Sequence, residues 1–347
     1  MRKYAILNIA VLAALLAGCA KEETKDTAAA AKTYFDSWAQ VNWPGAEKSG
    51  TGIYILEDTP GTGAEIPVDD SPFIFVDYTV TDLEGNVTAT SRENIAKRIG
   101  SYSPANYYGE RVWLVSDTFL GIYAGVEDMI RGMKVGGKRK AAIPYWLCTN
   151  DRYSSEQKYL KEVTSGSNLI YEVEIQDYCS DIVEWQIEQL EAYSQAYMGG
   201  VDSTHIAGNE ELGKLGFYYK TVDKPGVDLT YTMPDDTTLY LNYTGKLLSG
   251  KVFDTNIAKV AKDNQIYSAT KSYAPVKINR AAKYTDITMG DSSDLIDGFQ
   301  AAIYMMHPME KAITAFYSPL GYNYSGSGSV IPPYAPLVFE LELVKEP

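Results

Sequence analysis

The sequence predicts an α+β protein built from two copies of one unit, each an antiparallel sheet wrapped on one short helix, with helical linker segments before each copy. Three observations predict it. Segments of the chain recur in the same order, the recurring segments alternate between a period of two and a helical period, and 347 residues suffice for two domains of ordinary size.

The recurrence is the primary signal. Thr51-Gly52-Ile53-Tyr54-Ile55 returns as Leu215-Gly216-Phe217-Tyr218-Tyr219, and Phe75-Val76-Asp77-Tyr78-Thr79 returns as Tyr240-Leu241-Asn242-Tyr243-Thr244. Each of those tyrosines is followed seven residues later by glycine, Gly85 and Gly250. Asn94-Ile95-Ala96-Lys97 matches Asn256-Ile257-Ala258-Lys259. Tyr123, Gly125, Val126, Ile130 and Met133 match Ile296, Gly298, Phe299, Ile303 and Met306 at equal spacing. Leu169 to Ile175 matches Leu337 to Leu343. Preserved order and spacing indicate a duplication.

Taken from the N-terminus, Arg2 and Lys3 precede an apolar run from Tyr4 to Leu16, broken only by Asn8, and then Leu16-Ala17-Gly18-Cys19. A basic start, a short apolar stretch and small residues mark a secretory signal, too short to stay as a spanning helix. The ending resembles the lipobox of bacterial lipoproteins. That resemblance implies removal of residues 1–18 and lipidation of Cys19. Lys21-Glu22-Glu23 begins a polar, Ala-rich tether and also resembles an acidic signal for surface display in some Bacteroidetes lipoproteins. Residues 19–50 are thus expected to hold the lipidated Cys, the tether and a helix at 28–41 containing Tyr34, Phe35 and Trp38.

Residues 51–180 form the first unit. Its strand at Ile74, Val76, Tyr78 and Val80 alternates with polar neighbours, so one face of its sheet is expected to be wet. Residues 151–166 read as a polar, charged loop. Residues 181–214 form a helical linker, with Val183, Ile187, Leu190 and Tyr197 on one face, ended by Gly199-Gly200. Neither linker sustains heptads, so packing on the protein's own domains is favoured over dimerisation. In the second unit, 215–347, Leu239, Leu241 and Tyr243 alternate, residues 296, 299, 303 and 306 make a helical stripe, and Leu337, Phe339, Leu341 and Leu343 point inward opposite Glu340 and Glu342.

Composition excludes several functions. Net charge is −14 and no basic cluster exceeds Lys138-Arg139-Lys140, so a phosphate backbone is not the expected partner. With His205 and His307 alone and no CxxC spacing, neither a metal site nor a cofactor is proposed. Cys148 and Cys179 fall just beyond strands, and spacing leaves a disulfide between them open.

The C-terminal string Val330-Ile331-Pro332-Pro333-Tyr334-Ala335-Pro336-Leu337-Val338-Phe339-Glu340-Leu341-Glu342-Leu343 resembles the ending of FKBP-type prolyl isomerases. Tyr243-Thr244-Gly245-Lys246-Leu247-Leu248-Ser249-Gly250-Lys251-Val252-Phe253-Asp254-Thr255, Leu295-Ile296-Asp297-Gly298-Phe299 and Gly321-Tyr322-Asn323 stand in the same family order, so the resemblance covers about residues 216–345. It implies two FKBP-like domains, a pocket in the second lined by Tyr243, Phe253, Asp254, Ile296, Phe299, Tyr322, Ile331 and Phe339, and binding of proline-containing polypeptides, rapamycin or tacrolimus. In that carry-over Phe299 is the floor, the Tyr322 hydroxyl bonds the ligand, the Ile331 N–H donates to a ligand carbonyl, and Asp254 supplies a dipole near it. Val276 stands where the family often has Phe, Asn323 replaces a usual Gly, and Met309-Glu310 replaces a usual Gly-acid pair.

Such a pocket suits the reaction. An X-Pro bond turns slowly because rotation disrupts amide resonance, a barrier of about 18–20 kcal/mol. A dry, aromatic-walled slot that favours the twisted amide needs no base and no covalent intermediate. The first unit departs at these positions: Thr88-Ala89 stand for Phe253-Asp254, Val126 for Phe299 and Tyr123 for Ile296, with no Ile-Pro-Pro flap. It is read as degenerate, kept for structure, placement or another contact. Each unit carries an insertion, that between Phe253 and Ile296 with a short helix near Ala258, read as a surface excursion or a lip that grips clients.

The function expected is a lipid-anchored peptidyl-prolyl isomerase of the bacterial outer membrane, on its periplasmic or surface face, assisting folding of exported proteins. The alternatives are a non-catalytic peptide-binding chaperone and a structural surface lipoprotein built on the same scaffolds.

Overall fold

The computed structural model describes residues 27–345 except 117, 207–215, 224–233, 235–236 and 292–293. The expected signal segment, Cys19 and Leu215 lie outside the described residues.

Among the described residues two antiparallel seven-stranded sheets form, one from each copy. Before the first comes helix α1 (Thr27–Asn42), whose Phe35 and Ala39 are buried. Phe35 packs on the rings of Tyr54 and Trp146, both 5.7 Å away, so this helix rests on its own domain. The first sheet contains β1 (Glu47–Lys48), β2 (Tyr54–Thr59), β3 (Phe73–Thr81), β4 (Val87–Thr90), β5 (Arg111–Leu114), β6 (Lys138–Ile143) and β7 (Leu169–Cys179). Helix α2 (Glu93–Arg98) lies between β4 and β5, α3 (Ala124–Ile130) precedes β6, and α4 (Glu156–Glu162) precedes β7. The stretch read as a polar loop therefore holds a helix. Ser155 caps it by accepting from the Lys158 N–H, while Tyr159 and Leu160 are buried.

Helix α5 (Ile182–Tyr193), prolonged by a π turn over Ser194–Met198, leads to the second sheet. That sheet holds β8 (Phe217–Asp223), β9 (Thr238–Leu247), β10 (Val252–Thr255), β11 (Val276–Asn279), β12 (Thr288–Met289), β13 (Lys311–Phe316) and β14 (Leu337–Val344). Helix α6 (Ala258–Asp263) follows β10, and α7 (Asp297–Met305) lies before β13. The strand orders correspond: β2-β6-β7-β3 in the first sheet and β8-β13-β14-β9 in the second, with β4 and β5, or β10 and β11, both pairing the last of these.

Register makes the correspondence residue by residue. Tyr78 faces Val173 and Tyr243 faces Leu341; Thr79 faces Thr90 and Thr244 faces Thr255. Both threonine pairs join hydroxyls at 3.0 Å. The Tyr78 N–H donates to Ser91 Oγ at 2.9 Å, and the Tyr243 N–H donates to Asn256 Oδ1 at 2.8 Å. Asn256 is thus the counterpart of Ser91, not of Asn94. The Asn-Ile-Ala-Lys match is out of register, because α2 and α6 align as Glu93 with Ala258.

In both units the helix lies so close to the sheet that only glycine fits beneath it. A Cβ on Gly298 would stand 2.5 Å from the Phe316 ring, and one on Gly125 would strike Ile143.

The outer face of each sheet is drier than alternation predicts. Phe75, on that face, meets the Trp185 ring at 4.5 Å, and Tyr218, Ala315 and Val338 pack with Leu190 and Met198. The buried stripe of α5 is Ile182, Gln186 and Leu190, whereas Val183 and Tyr197 are exposed. The sequence pattern misplaced the stripe because the helix touches both sheets and its buried Gln186 reads as polar. Cys148 and Cys179 are both free thiols. Lys138, Arg139 and Lys140 each pair across the sheet with Glu172, Asp58 and Glu57, which neutralises the one basic cluster. Among the described residues no helix is long and apolar enough to cross a membrane, and no His/Cys/Asp/Glu group is arranged to hold a metal.

Candidate functional site

An aromatic cluster forms where β9, β10, β14 and α7 meet. Alternation along β9 turns Tyr243 inward, and a bulge between Val252 and Asp254 sets β10 against Lys246, Gly245 and Thr244. The absence of a side chain at Gly245 makes room for two rings. A Cβ there would lie 2.6 Å from Phe253 and 2.9 Å from Phe339. Those rings meet edge to face at 5.6 Å, Phe339 meets Phe299 at 4.9 Å, and Phe299 meets Tyr243 at 5.8 Å. Phe299 stands on the first turn of α7 and Ile296 at its N-cap. Ile331 is buried in the same core cluster, and Ile296, Phe253 and Tyr322 pack against it half-buried.

The polar groups gather at one rim. Asp254 accepts from the Tyr243 hydroxyl at 2.8 Å, from the Thr255 N–H at 2.9 Å and from the Lys271 ammonium. Its side chain is 45% exposed, so the Lys271 pair is a screened one. Burial, then the charge of Asp254, drives the Tyr243 hydroxyl well above the usual tyrosine range, and the same two causes raise Tyr322. Both phenols therefore remain neutral donors at physiological pH.

Of the eight sequence-predicted residues, Tyr243, Phe299, Ile331 and Phe339 belong to this cluster, Phe253, Ile296 and Tyr322 pack against it, and Asp254 is bonded to it through Tyr243. One assigned role differs. The Ile331 N–H donates to Ser327 O at 3.1 Å inside its own loop. Among the described residues the Ile296 N–H has no acceptor, because it precedes the first helical hydrogen bond, which makes it the donor left open on this wall. The sequence signal for it was the helix start itself. Lys271 carried no signal, since it lies in the insertion after β10, and only folding brings it over the Tyr243 ring, 5.8 Å from its centroid. Asn323 takes the left-handed conformation, φ 49°, which asparagine tolerates where glycine is usual.

In the first domain the same register places Ala89 opposite Val80 as Asp254 stands opposite Gly245. Thr88, Ala89, Val126 and Tyr123 thus occupy the places of Phe253, Asp254, Phe299 and Ile296. The carboxylate, the floor ring and one wall ring are missing there.

Comparison with known proteins bears on this cluster. Residues 230–344 match the family described as FKBP-type peptidyl-prolyl cis-trans isomerase. FK506-binding protein 1 of Kluyveromyces lactis is 29% identical over 143 residues, covering 41% of this chain and 97% of its own length. Among solved structures, the three FKBP domains of wheat FKBP73 overlap at TM-score 0.28 with 17% identity, over 84% of this chain and 94% of that one. A peptidyl-prolyl cis-trans isomerase of Pseudomonas syringae pv. tomato overlaps at TM-score 0.30 with 20% identity, over 47% and 92%.

Proposed function

We propose that the second domain, whose residues 230–344 match the family of FKBP-type peptidyl-prolyl cis-trans isomerases, is the catalytic half of a membrane-tethered folding factor for exported proteins. The observation that carries this is the packing of Tyr243, Phe253, Phe299 and Phe339 into one aromatic cluster, with Asp254 bonded to the Tyr243 hydroxyl and Tyr322 close enough to feel its charge.

The cluster acts on the proline ring and the rim on the amide. Aromatic walls packed edge to face exclude water and hold the ring, so the peptide bond lies at the mouth. As the bond twists, its carbonyl loses conjugation with nitrogen and its dipole changes. Donors fixed in advance then stabilise the twisted state more than either planar one. Neutral Tyr322 and the Ile296 N–H are those donors, and Asp254 holds the Tyr243 hydroxyl in place. No proton is transferred. A barrier lowered by about 4–7 kcal/mol accelerates the reaction by about 10³–10⁵-fold.

Tethering rests on the basic, apolar and Leu-Ala-Gly-Cys order of residues 2–19, with lipid on Cys19 at the outer membrane. Mass spectrometry of the cell-derived protein and of Cys19→Ala checks it: a lipidated first residue at position 19 is expected, and an unmodified Cys19 overturns the tether.

Isomerisation of a four-residue proline peptide by the full chain tests the activity. Asp254→Ala is expected to lower kcat/KM by about 10–100-fold and Tyr322→Phe by about 3–10-fold, a loss of one or two hydrogen-bonded groups. No acceleration by the unmutated protein rejects the reading.

A further inference from the structure

The first domain has lost the catalytic groups but keeps an open cleft. Its volume is about 490 Å³, in the range of small-ligand and peptide sites. Tyr78, Ala89, Tyr123, Val126 and Tyr171 line it, the register counterparts of Tyr243, Asp254, Ile296, Phe299 and Phe339. The cleft therefore stands where the second domain has its aromatic cluster. Its chemistry is different. No charged side chain occurs among its described lining residues, a methyl group replaces the carboxylate, and Val126 in place of a ring deepens the floor. Phe119 at its edge is 81% exposed.

The far wall belongs to the other domain. Tyr324, Pro333 and Tyr334, on the flap that also carries Ile331, close the cleft. The first domain grips this flap. The Tyr107 N–H donates to Ser329 O at 2.8 Å, Ser329 Oγ donates to Asn106 Oδ1 at 2.7 Å, and Phe73 meets Tyr334 edge to face at 5.3 Å. Ile331 belongs to the second domain's aromatic cluster and Tyr334, three residues on, borders the first cleft. Three residues span at most about 10 Å of backbone, so one extended peptide reaches across the flap into both.

We propose that the first-domain cleft is a second binding site, for an uncharged segment of extended polypeptide bearing an aromatic side chain. It holds the chain without isomerising it while a proline some four residues away occupies the second domain. The inference rests on reading the second domain's cluster as a peptide site. Continuity across the shared flap is what assigns a polypeptide to the cleft, and the missing carboxylate and deeper floor are what select an uncharged ring larger than proline.

The test uses the full chain and two fluorescein-labelled peptides, Phe-Ser-Ala-Ser-Leu-Pro-Ser-Ala-Ser-Phe and the same sequence with both phenylalanines replaced by serine. By fluorescence polarisation the aromatic peptide is expected to bind about tenfold more tightly, the worth of one well-seated ring. Ala89→Glu and Phe119→Ser, both at exposed positions, are each expected to erase that difference while leaving isomerisation of a four-residue proline peptide unchanged. Equal affinities of the two peptides for the unmutated protein overturn the proposal, as does an aromatic preference that survives both substitutions. If the four-residue peptide is not isomerised at all, the catalytic reading of the second domain fails. The aromatic preference and its loss in Ala89→Glu still decide the cleft, because polarisation needs no turnover.

Discussion

At the residue scale, the site is organised by phenols whose neighbours oppose their ionisation. Tyr243 is held neutral by burial and by a carboxylate at 2.8 Å, and that same carboxylate is kept in place by Lys271. Tyr243 and Asp254 were legible from motif order. Lys271 was not, because an insertion has no spacing rule and its lysine is one among many. A second buried group gives a prediction with a defined sign. Burial pushes the Cys148 thiol from 9.0 to about 12, and it faces the Pro144 carbonyl at 3.6 Å. Between these pH values the unfolded chain has released a proton that the folded chain retains, so the stability this thiol contributes is full below about 9 and lost as pH rises towards about 12. Urea unfolding at pH 8 and pH 10.5 is expected to show a steeper alkaline loss for the unmutated protein than for Cys148→Ala, by at most about 1.4 kcal/mol per pH unit. Identical slopes refute the assignment.

At the element scale, the two units share strand order, bulge and hydroxyl pairing, and they differ at turns. The turn entering β6 has Gly136 at φ 80°, and the matching turn entering β13 has Met309 at φ 63°. A side chain in the left-handed region costs about 1–2 kcal/mol, while glycine adds unfolded-state entropy of about 0.4–1 kcal/mol. Met309→Gly is therefore expected to stabilise the protein by about 0.5–1 kcal/mol with isomerisation unchanged, read as a rise in Tm by calorimetry. A fall in Tm sinks this account of the turn. Strands and the helical stripe at 296, 299, 303 and 306 were visible because periodicity reports one buried face. Helix α4 was missed because charged residues surround its two buried ones, Tyr159 and Leu160.

At the scale of the whole molecule, α5 ties the sheets together. Trp185 packs on Phe75 of the first, Leu190 and Met198 pack on the second, and Gln186 Oε1 accepts from the Ser318 N–H at 2.7 Å, just ahead of the loop that carries Tyr322. The linker thus reaches the site through that loop, since Ser318 O in turn accepts from the Asn323 N–H at 2.8 Å. Trp185→Ala is expected to cost about 2 kcal/mol, less than a fully buried ring, and to split one calorimetric unfolding transition into two as the domains uncouple. A single transition at unchanged Tm argues that the helix is only a spacer.

Sequence alone determined the duplication, the alternating strands around Tyr78, Tyr243 and Phe339, the helical stripe at 296, 299, 303 and 306, and the substitutions that set the first unit apart from the second. Each of these is written in local order, as spacing along one chain. Tertiary structure alone decided which donor is open, Ile296 in place of Ile331, which face of α5 is buried, and that the flap of one domain walls the cleft of the other. Those depend on distances between segments far apart in the chain. Hydrogen-bond satisfaction and packing settle such distances only after the whole chain has closed, and no periodicity encodes them.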